Sequence, residues 1–395
     1  MKIALVKPDY KITGGFEIVV DRIIRGLEEK GHQVDTIKVD MTIPRTRVGN
    51  IDIPPEVYHA NMEFFRYVTS IEAFEKLDLS GYDIALTTQP PSYAVQHEKV
   101  VPLFYHHNKI FYELADVYIE CGIMDGAVHQ LSTEIVREID SLYITNDKHY
   151  IAGSQHVAYR LRHYSGITGH IDVFAAGISD ELYNYDGDLS YGSPICVGRH
   201  EFPKRPELFI HAMKHVKGLT GKVIGQGGQT ERLKKMDQYL TALHHRGEDI
   251  DDEYMWKHAI FQAEKLKVPR FRKPESNVIF TGRVPYEQLI REYANALCVV
   301  CPAYEEDYGL TAIEAMAFGK PVIVCSDGGG FTEFIEEGIN GFIVEPKGEA
   351  IAEAINYLAD NPDKLREMGK NAYEYSRQYS WEKAIDHLNS ILENV

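Results

Sequence analysis

Two glutamates frame the stretch of this sequence best suited to chemistry. Glu306 and Glu314 bracket seven residues that include Tyr308, Gly309, Leu310 and Thr311. An apolar strand ends near Cys301 and a loop carries Glu305, Glu306 and Asp307. Gly309 permits a tight turn, and Leu310, Ile313 and Ala317 make the apolar side of a helix that starts near Leu310. The free N–H groups and positive dipole end of that helix suit a phosphate or a sugar hydroxyl. One carboxylate before the helix and one a turn inside it can accept hydrogen bonds from two separate hydroxyl-bearing groups. Acidic residues are also favourable at a helix start with no ligand present, so the neighbours decide. Lys320 to Cys325 reads as a further buried strand that ends in three glycines, Gly328 to Gly330, followed by a helix carrying Glu333. Consecutive glycines at a strand end mark a place where backbone comes close to a ligand.

These residues need elements to hold them. Ile3 to Val6 reads as a buried strand, followed by the turn at Gly14-Gly15. An amphipathic stretch with Ile18, Val19, Ile23, Ile24 and Leu27 comes next, closed by Gly31, and then a strand over Val34 to Val39. This βαβ unit predicts a parallel sheet. Further strands are expected at Ile84 to Thr87, Val101 to Tyr105, Tyr150 to Ala152 and Asp172 to Ala175. A polar linker follows, and a second βαβ series begins at Pro194 to Gly198. Its later strands are expected at Lys222 to Gly225, Val278 to Thr281, Leu297 to Cys301, Pro321 to Cys325 and Phe342 to Val344. The charge-rich stretch 248–274 reads as a helical insertion. A last helix is capped by Ser380, with Trp381, Ala384, Ile385, Leu388, Ile391, Leu392 and Val395 on one stripe. The 395 residues suit two domains of roughly 200 each. The expected fold is α/β, with two doubly wound Rossmann-like domains facing a cleft. Residues 1–177 form the first, 178–193 the linker and 194–379 the second, and helix 380–395 packs back on the first.

The segment from Glu306 to Glu314, with Gly319-Lys-Pro-Val and Gly328 to Glu333, resembles the retaining glycosyltransferases of family four, which have the GT-B fold. The resemblance runs along the whole chain and is dense from Ile195 to Pro346. It implies that Glu306 contacts the donor sugar and Glu314 the nucleotide ribose. Backbone N–H groups of Gly309, Leu310 and Thr311, beside Tyr308, would then meet the diphosphate or the sugar. It implies that Arg199 and Lys204 neutralise the diphosphate. That agrees with the chemistry, because a departing nucleotide diphosphate needs fixed positive charge and no metal site is evident. Gly14 and Gly15 match the family's glycine pair, which lets the N-terminal domain close on the donor. The loop Phe280 to Pro285, with Arg283 and Val284, matches the one that holds the base. A histidine ends the strand Leu103 to Tyr105 near the sugar. His107 is chosen and His106 kept as the alternative, since adjacent strand residues face opposite sides. The implied activity is hexose transfer from a uridine or guanosine diphosphate sugar to a hydroxyl acceptor with retention, without a metal or other cofactor. The alternative is a non-catalytic module that binds a sugar nucleotide or supports a partner transferase.

The bulk properties set limits. A net charge of −17 argues against broad nucleic-acid binding and tight docking on anionic lipid. No run of about 18 apolar residues is present, and Met1 leads directly into a strand, so neither a membrane span nor a signal peptide is expected. Five cysteines without a framework pattern suit a reducing cytoplasm. The expected partners are a nucleotide sugar and a small-molecule, glycan or glycolipid acceptor. A homodimer and peripheral contact with the inner face of a membrane stay open. Other signals are set aside. Cys298 and Cys301 have CxxC spacing inside an apolar strand. His211 and His215 lack the glutamate of the metalloprotease arrangement. Asp186 and Asp188 lie in the linker, and Gly225 to Gly228 lacks the dinucleotide spacing.

Overall fold

The computed structural model describes residues 1–11, 14–183, 185, 187–266 and 275–395. Asp186 and residues 267–274 of the expected insertion lie outside the described residues. The chain divides into two compact units, Met1–Gly177 with Trp381–Val395, and Ile178–Ser380.

The first unit is built on strands β1 (Lys2–Asp9), β2 (Gln33–Asp40), β3 (Ile84–Thr87), β4 (Val100–Phe104), β5 (Tyr150–Ala152) and β6 (Ile171–Val173). They lie in the order β2-β1-β3-β4-β5-β6, all parallel. Ile3, Ala4, Leu5 and Val6 are wholly buried, as a strand covered on both faces must be. Helix α1 (Gly15–Glu29) turns Val19, Val20, Ile23 and Leu27 inward. Ile18, expected on the same stripe, is exposed instead. The C-terminal helix Trp381–Asn394 buries Ala384, Ile385, Leu388, Ile391 and Leu392. It approaches α1 so closely that a Cβ on Gly26 would stand 2.5 Å from Cγ1 of Ile385. Helix α2 (Gln155–Ser165) is capped by the Ser154 hydroxyl and ends on Gly166 in the left-handed region.

The second unit carries β7 (Ile195–Val197), β8 (Gly221–Ile224), β9 (Val278–Gly282), β10 (Val299–Cys301), β11 (Val322–Cys325) and β12 (Gly341–Val344). The order is β9-β8-β7-β10-β11-β12, again all parallel. The order reverses between β7 and β10. In such sheets ligands bind beyond the carboxyl ends of the strands at that reversal. Helices α3 (Pro206–His215), α4 (Thr230–His245), α5 (Asp252–Lys257), α6 (Leu310–Ala317) and α7 (Gly348–Asp360) surround the sheet. Phe209, Met213, Leu233, Met236, Ile323 and Ile355 belong to its core.

The stretch 178–193, expected as a linker, is hydrogen-bonded into the second unit. Ser190 and Gly192 donate to the carbonyls of Ala294 and Asn295, and Ile178 donates to Tyr379. Lys320, wholly buried, reaches the Ser190 carbonyl at 2.6 Å. The helix expected after the three glycines is one short 3-10 turn, Gly330–Phe334. Within 248–266 the insertion forms α5 and a 3-10 segment, Ala259–Lys265. Met255, Trp256, Ala259 and Ile260 are buried there, so this stretch is core.

Candidate active site

The reversal between β7 and β10 gathers the charged residues singled out in the second half of the sequence. Arg199 follows β7 and is exposed. Lys204 ends the 3-10 turn Phe202–Lys204, and its ammonium is paired with the Glu306 carboxylate in the loop after β10. Their side chains are 29% and 16% exposed, enough for both to meet a ligand. A backbone bond from Tyr304 to the Pro203 carbonyl, 2.7 Å, ties the two loops together.

Arg205, which no spacing pattern in the sequence marks, fixes this arrangement. Its side chain is buried. Both terminal nitrogens bond Asp327, at 2.8 and 2.5 Å, and Nε bonds the Pro302 carbonyl at 2.8 Å. The guanidinium lies over Trp256 at 4.9 Å and Tyr304 at 5.5 Å. Arg205 has φ +45° and Glu305 φ +50°. Left-handed backbone costs a residue with a Cβ about 1–3 kcal/mol and tends to gather at functional sites. Here the turn at Arg205 separates Lys204, paired with Glu306, from the guanidinium locked onto Asp327.

The three glycines have a different use from the one expected. Glu306 and Gly329 form a β-bridge, with Glu306 donating to Gly328 and Gly330 donating to Glu306 at 2.8 Å. A Cβ on Gly329, where φ is +59°, would stand 2.5 Å from the Glu306 carbonyl oxygen, and one on Gly330 2.6 Å from that of Asp307. The close backbone approach is therefore to the acidic loop itself, which the glycines hold in place.

Gly309 caps α6 with φ +105°, and Leu310 and Thr311 open the helix half-exposed. Tyr308 is buried against Phe334, ring to ring at 5.3 Å, which keeps its ring in the core. Glu314 is half-buried and accepts a 3.0 Å bond from the Tyr293 hydroxyl. Burial pushes its carboxyl up to about 7, with the Tyr293 bond opposing.

Beside this group the loops after β7, β8 and β9 are cross-bonded. Gly198 donates to Ile224 and Gly225 to Gly282, each at 3.0 Å. They border a cavity of about 650 Å³ lined by residues including His200, Gln226, Thr230, Lys234, Phe280 and Gly282. A Cβ on Gly225 would fall 1.9 Å from the Gly198 carbonyl oxygen, which accounts for the glycine-rich turn without a dinucleotide. His200 bonds the Thr230 hydroxyl, and burial lowers its ring to about 4. Arg283, exposed, and Val284, half-buried, follow β9. His200, Gln226, Thr230 and Lys234 carry no spacing signal that singles them out. They meet only because three strand ends meet.

In the first unit Gly14 caps α1 and donates to Glu17 at 3.1 Å, while Gly15 opens the helix exposed. The choice between the two histidines after β4 is reversed. His107 is fully buried, stacked on Tyr112 at 4.2 Å, edge-on to Phe104 at 4.8 Å and bonded to the Ser165 hydroxyl at 2.8 Å. His106 keeps a half-exposed ring. The aromatic neighbours on α2 and after β4 take His107 into the core, so the histidine that can meet a ligand is His106.

Two doubly wound units, one with cations and carboxylates at its strand reversal, define a GT-B protein. Residues 264–375 match the family described as glycosyl transferases group 1. The chain is 36% identical over 276 residues to a D-inositol 3-phosphate glycosyltransferase of Corynebacterium kroppenstedtii, covering 66% of this chain and 55% of that protein. It is 24% identical over 224 residues to an uncharacterized glycosyltransferase of Methanocaldococcus jannaschii, covering 56% and 53%. The chain thus spans about half the length of these curated relatives. Among solved structures, sucrose-phosphate synthase from Thermosynechococcus elongatus superposes with a TM-score of 0.69 at 20% identity, over 100% of this chain and 98% of that one. Anabaena HepE in complex with UDP gives 0.63 at 16%, over the full length of both. Residues 264–375 thus carry a group 1 glycosyltransferase domain, and the two units share the GT-B fold of these solved structures.

Proposed function

We propose that the chain transfers a hexose from a nucleoside-diphosphate sugar to a hydroxyl acceptor, with retention of anomeric configuration. The observation that carries this reading is the Lys204–Glu306 pair at the strand reversal, held from behind by the Arg205–Asp327 lock. A cation and a carboxylate fixed side by side suit the two ends of a glycosyl diphosphate. Lys204 and Arg199 meet the charge that develops on the leaving diphosphate, and Glu306 accepts from a sugar hydroxyl. Glu314 accepts from the ribose, and the first N–H groups of α6 face the phosphates. The base is assigned to the 650 Å³ cavity, with backbone of the Arg283-Val284 loop along its edge. Positive charge at the reacting bond comes from side chains in this reading, so added Mg²⁺ or Mn²⁺ leaves the rate unchanged.

Uridine and guanosine donors both fit these groups. A test begins with uridine- and guanosine-diphosphate hexoses, and with inositol phosphate among the acceptors because of the names of the matched relatives. Arg199→Ala and Glu306→Gln are expected to lower turnover by about 100-fold or more, the usual scale for removing a group that meets developing charge. Transfer with inversion, or donor binding unchanged in both variants, overturns the reading. A binding module without catalysis would bind donor yet show neither transfer nor slow donor hydrolysis. Cys196, Cys298, Cys301 and Cys325 are buried free thiols, which supports a cytoplasmic setting. None of the described helices is long and apolar enough to cross a membrane.

A further inference from the structure

We infer that the second unit holds a divalent transition metal, of which Zn²⁺ is the best match, on His211, His215 and Asp249, apart from the residues assigned to transfer. His211 and His215 lie one turn apart on α3, and Asp249 belongs to the loop after α4. Nε2 of His211 and Nε2 of His215 face each other at 3.4 Å. The Asp249 carboxylate meets them at 2.6 Å and 3.6 Å. Ligands about 2.0–2.1 Å from a tetrahedral zinc stand roughly 3.3–3.4 Å from one another. The two nitrogens already have that spacing, and the carboxylate needs only a small shift to share the ion.

The surroundings are those a bound metal requires. Nδ1 of His211 is 2.7 Å from Asp252, which leaves Nε2 to take the ion. The other oxygen of Asp252 accepts from the Gly348 N–H, 2.9 Å, at the start of α7. A Cβ on Gly348 would stand 2.7 Å from His211 Nδ1, so only glycine lets the ring sit where it does. His211 is 3% exposed, His215 24% and Asp249 48%. The ion is thus reached from one side and leaves a position for water. The stretch between these histidines lacks the glutamate of the metalloprotease arrangement. The third ligand comes from a separate loop and becomes a neighbour only in the fold. Nine residues of helical rise separate Pro206 from His215, roughly 13 Å. The metal would therefore join α3, the loop before α5 and the start of α7 at the end of α3 opposite the Lys204 turn.

The test uses the untagged chain, stripped with a chelator and returned to metal-free buffer. Titration with Zn²⁺ is expected to show one site per chain, a raised melting temperature and, with Co²⁺, the visible absorption of a tetrahedral ion. Mg²⁺ is expected to do none of these. His215→Gln and Asp249→Asn remove ligands at partly exposed positions, and each is expected to abolish the single site while the stripped protein keeps its circular dichroism. Asp252→Asn is expected to weaken binding by about 10–100-fold. Absence of a stoichiometric site in the unaltered chain, or a site that survives both His215→Gln and Asp249→Asn, overturns the inference.

Discussion

A guanidinium buried with one carboxylate cannot be half replaced. Arg205 spends its donors on Asp327 and the Pro302 carbonyl. Asp327→Ala leaves that charge buried and is expected to cost about 3–5 kcal/mol in denaturant unfolding. Arg205→Lys is expected to lose most of the same stability, because an ammonium cannot form the two-pronged pair. Glu314 makes a prediction of the opposite kind. Its carboxyl titrates near 7 in the folded chain against an ordinary 4.5, so the fold holds a proton that the unfolded chain gives up. Its contribution is fully present below about 4.5 and is lost as pH rises through about 7. The unaltered chain should therefore lose more melting temperature than Glu314→Gln across that window. If Glu314 binds a ribose hydroxyl as acceptor, donor binding at neutral pH also releases a proton. Calorimetry in two buffers of different ionisation enthalpy detects that release, which should be absent in Glu314→Gln.

The element that holds Glu306 is a pair of strand-end loops laid backbone to backbone. Gly329→Ala is expected to cost about 1–3 kcal/mol by thermal unfolding, because it adds strain at positive φ and a clash with the Glu306 carbonyl. It should also raise KM for the donor, since the displaced backbone carries Glu306. At this scale the sequence was informative wherever a pattern is local. Most strands of both sheets are apolar runs, β2 alternating apolar with polar residues instead, and the helix from Leu310 follows from a glycine and an apolar face. What escaped it depends on meetings between distant segments. The Gly328 to Gly330 run announced a close approach, but that the partner is the acidic loop depends on β10 and β11 lying side by side. Two adjacent histidines gave a choice of faces, and the Ser165 that bonds the buried His107 lies 58 residues further along the chain. His106→Ala should therefore alter activity with little change in melting temperature. His107→Ala should lower the melting temperature, by the loss of an aromatic stack and a buried hydrogen bond.

At the scale of the molecule, the first unit is completed by a segment from the far end of the sequence. Gly26 on α1 and Ile385 on the C-terminal helix are fitted to each other, with no room for a methyl group between them. Gly26→Ala should destabilise the chain by about 1–2 kcal/mol through overpacking. In an Ile385→Ala background the same change should be neutral or stabilising by up to about 1 kcal/mol, as helix propensity takes over. A thermodynamic cycle of the four variants measures that reversal of sign. The arrangement also sets an order of events during synthesis. Residues 178–380 are one continuous stretch, so the second unit takes nothing from residues 381–395. The first unit begins earlier and finishes later, holding the α1 face that Ile385 and Leu388 will cover until residues 381–395 arrive. A nascent chain stalled before that point would present an apolar groove to chaperones, although every strand of both sheets had already been made.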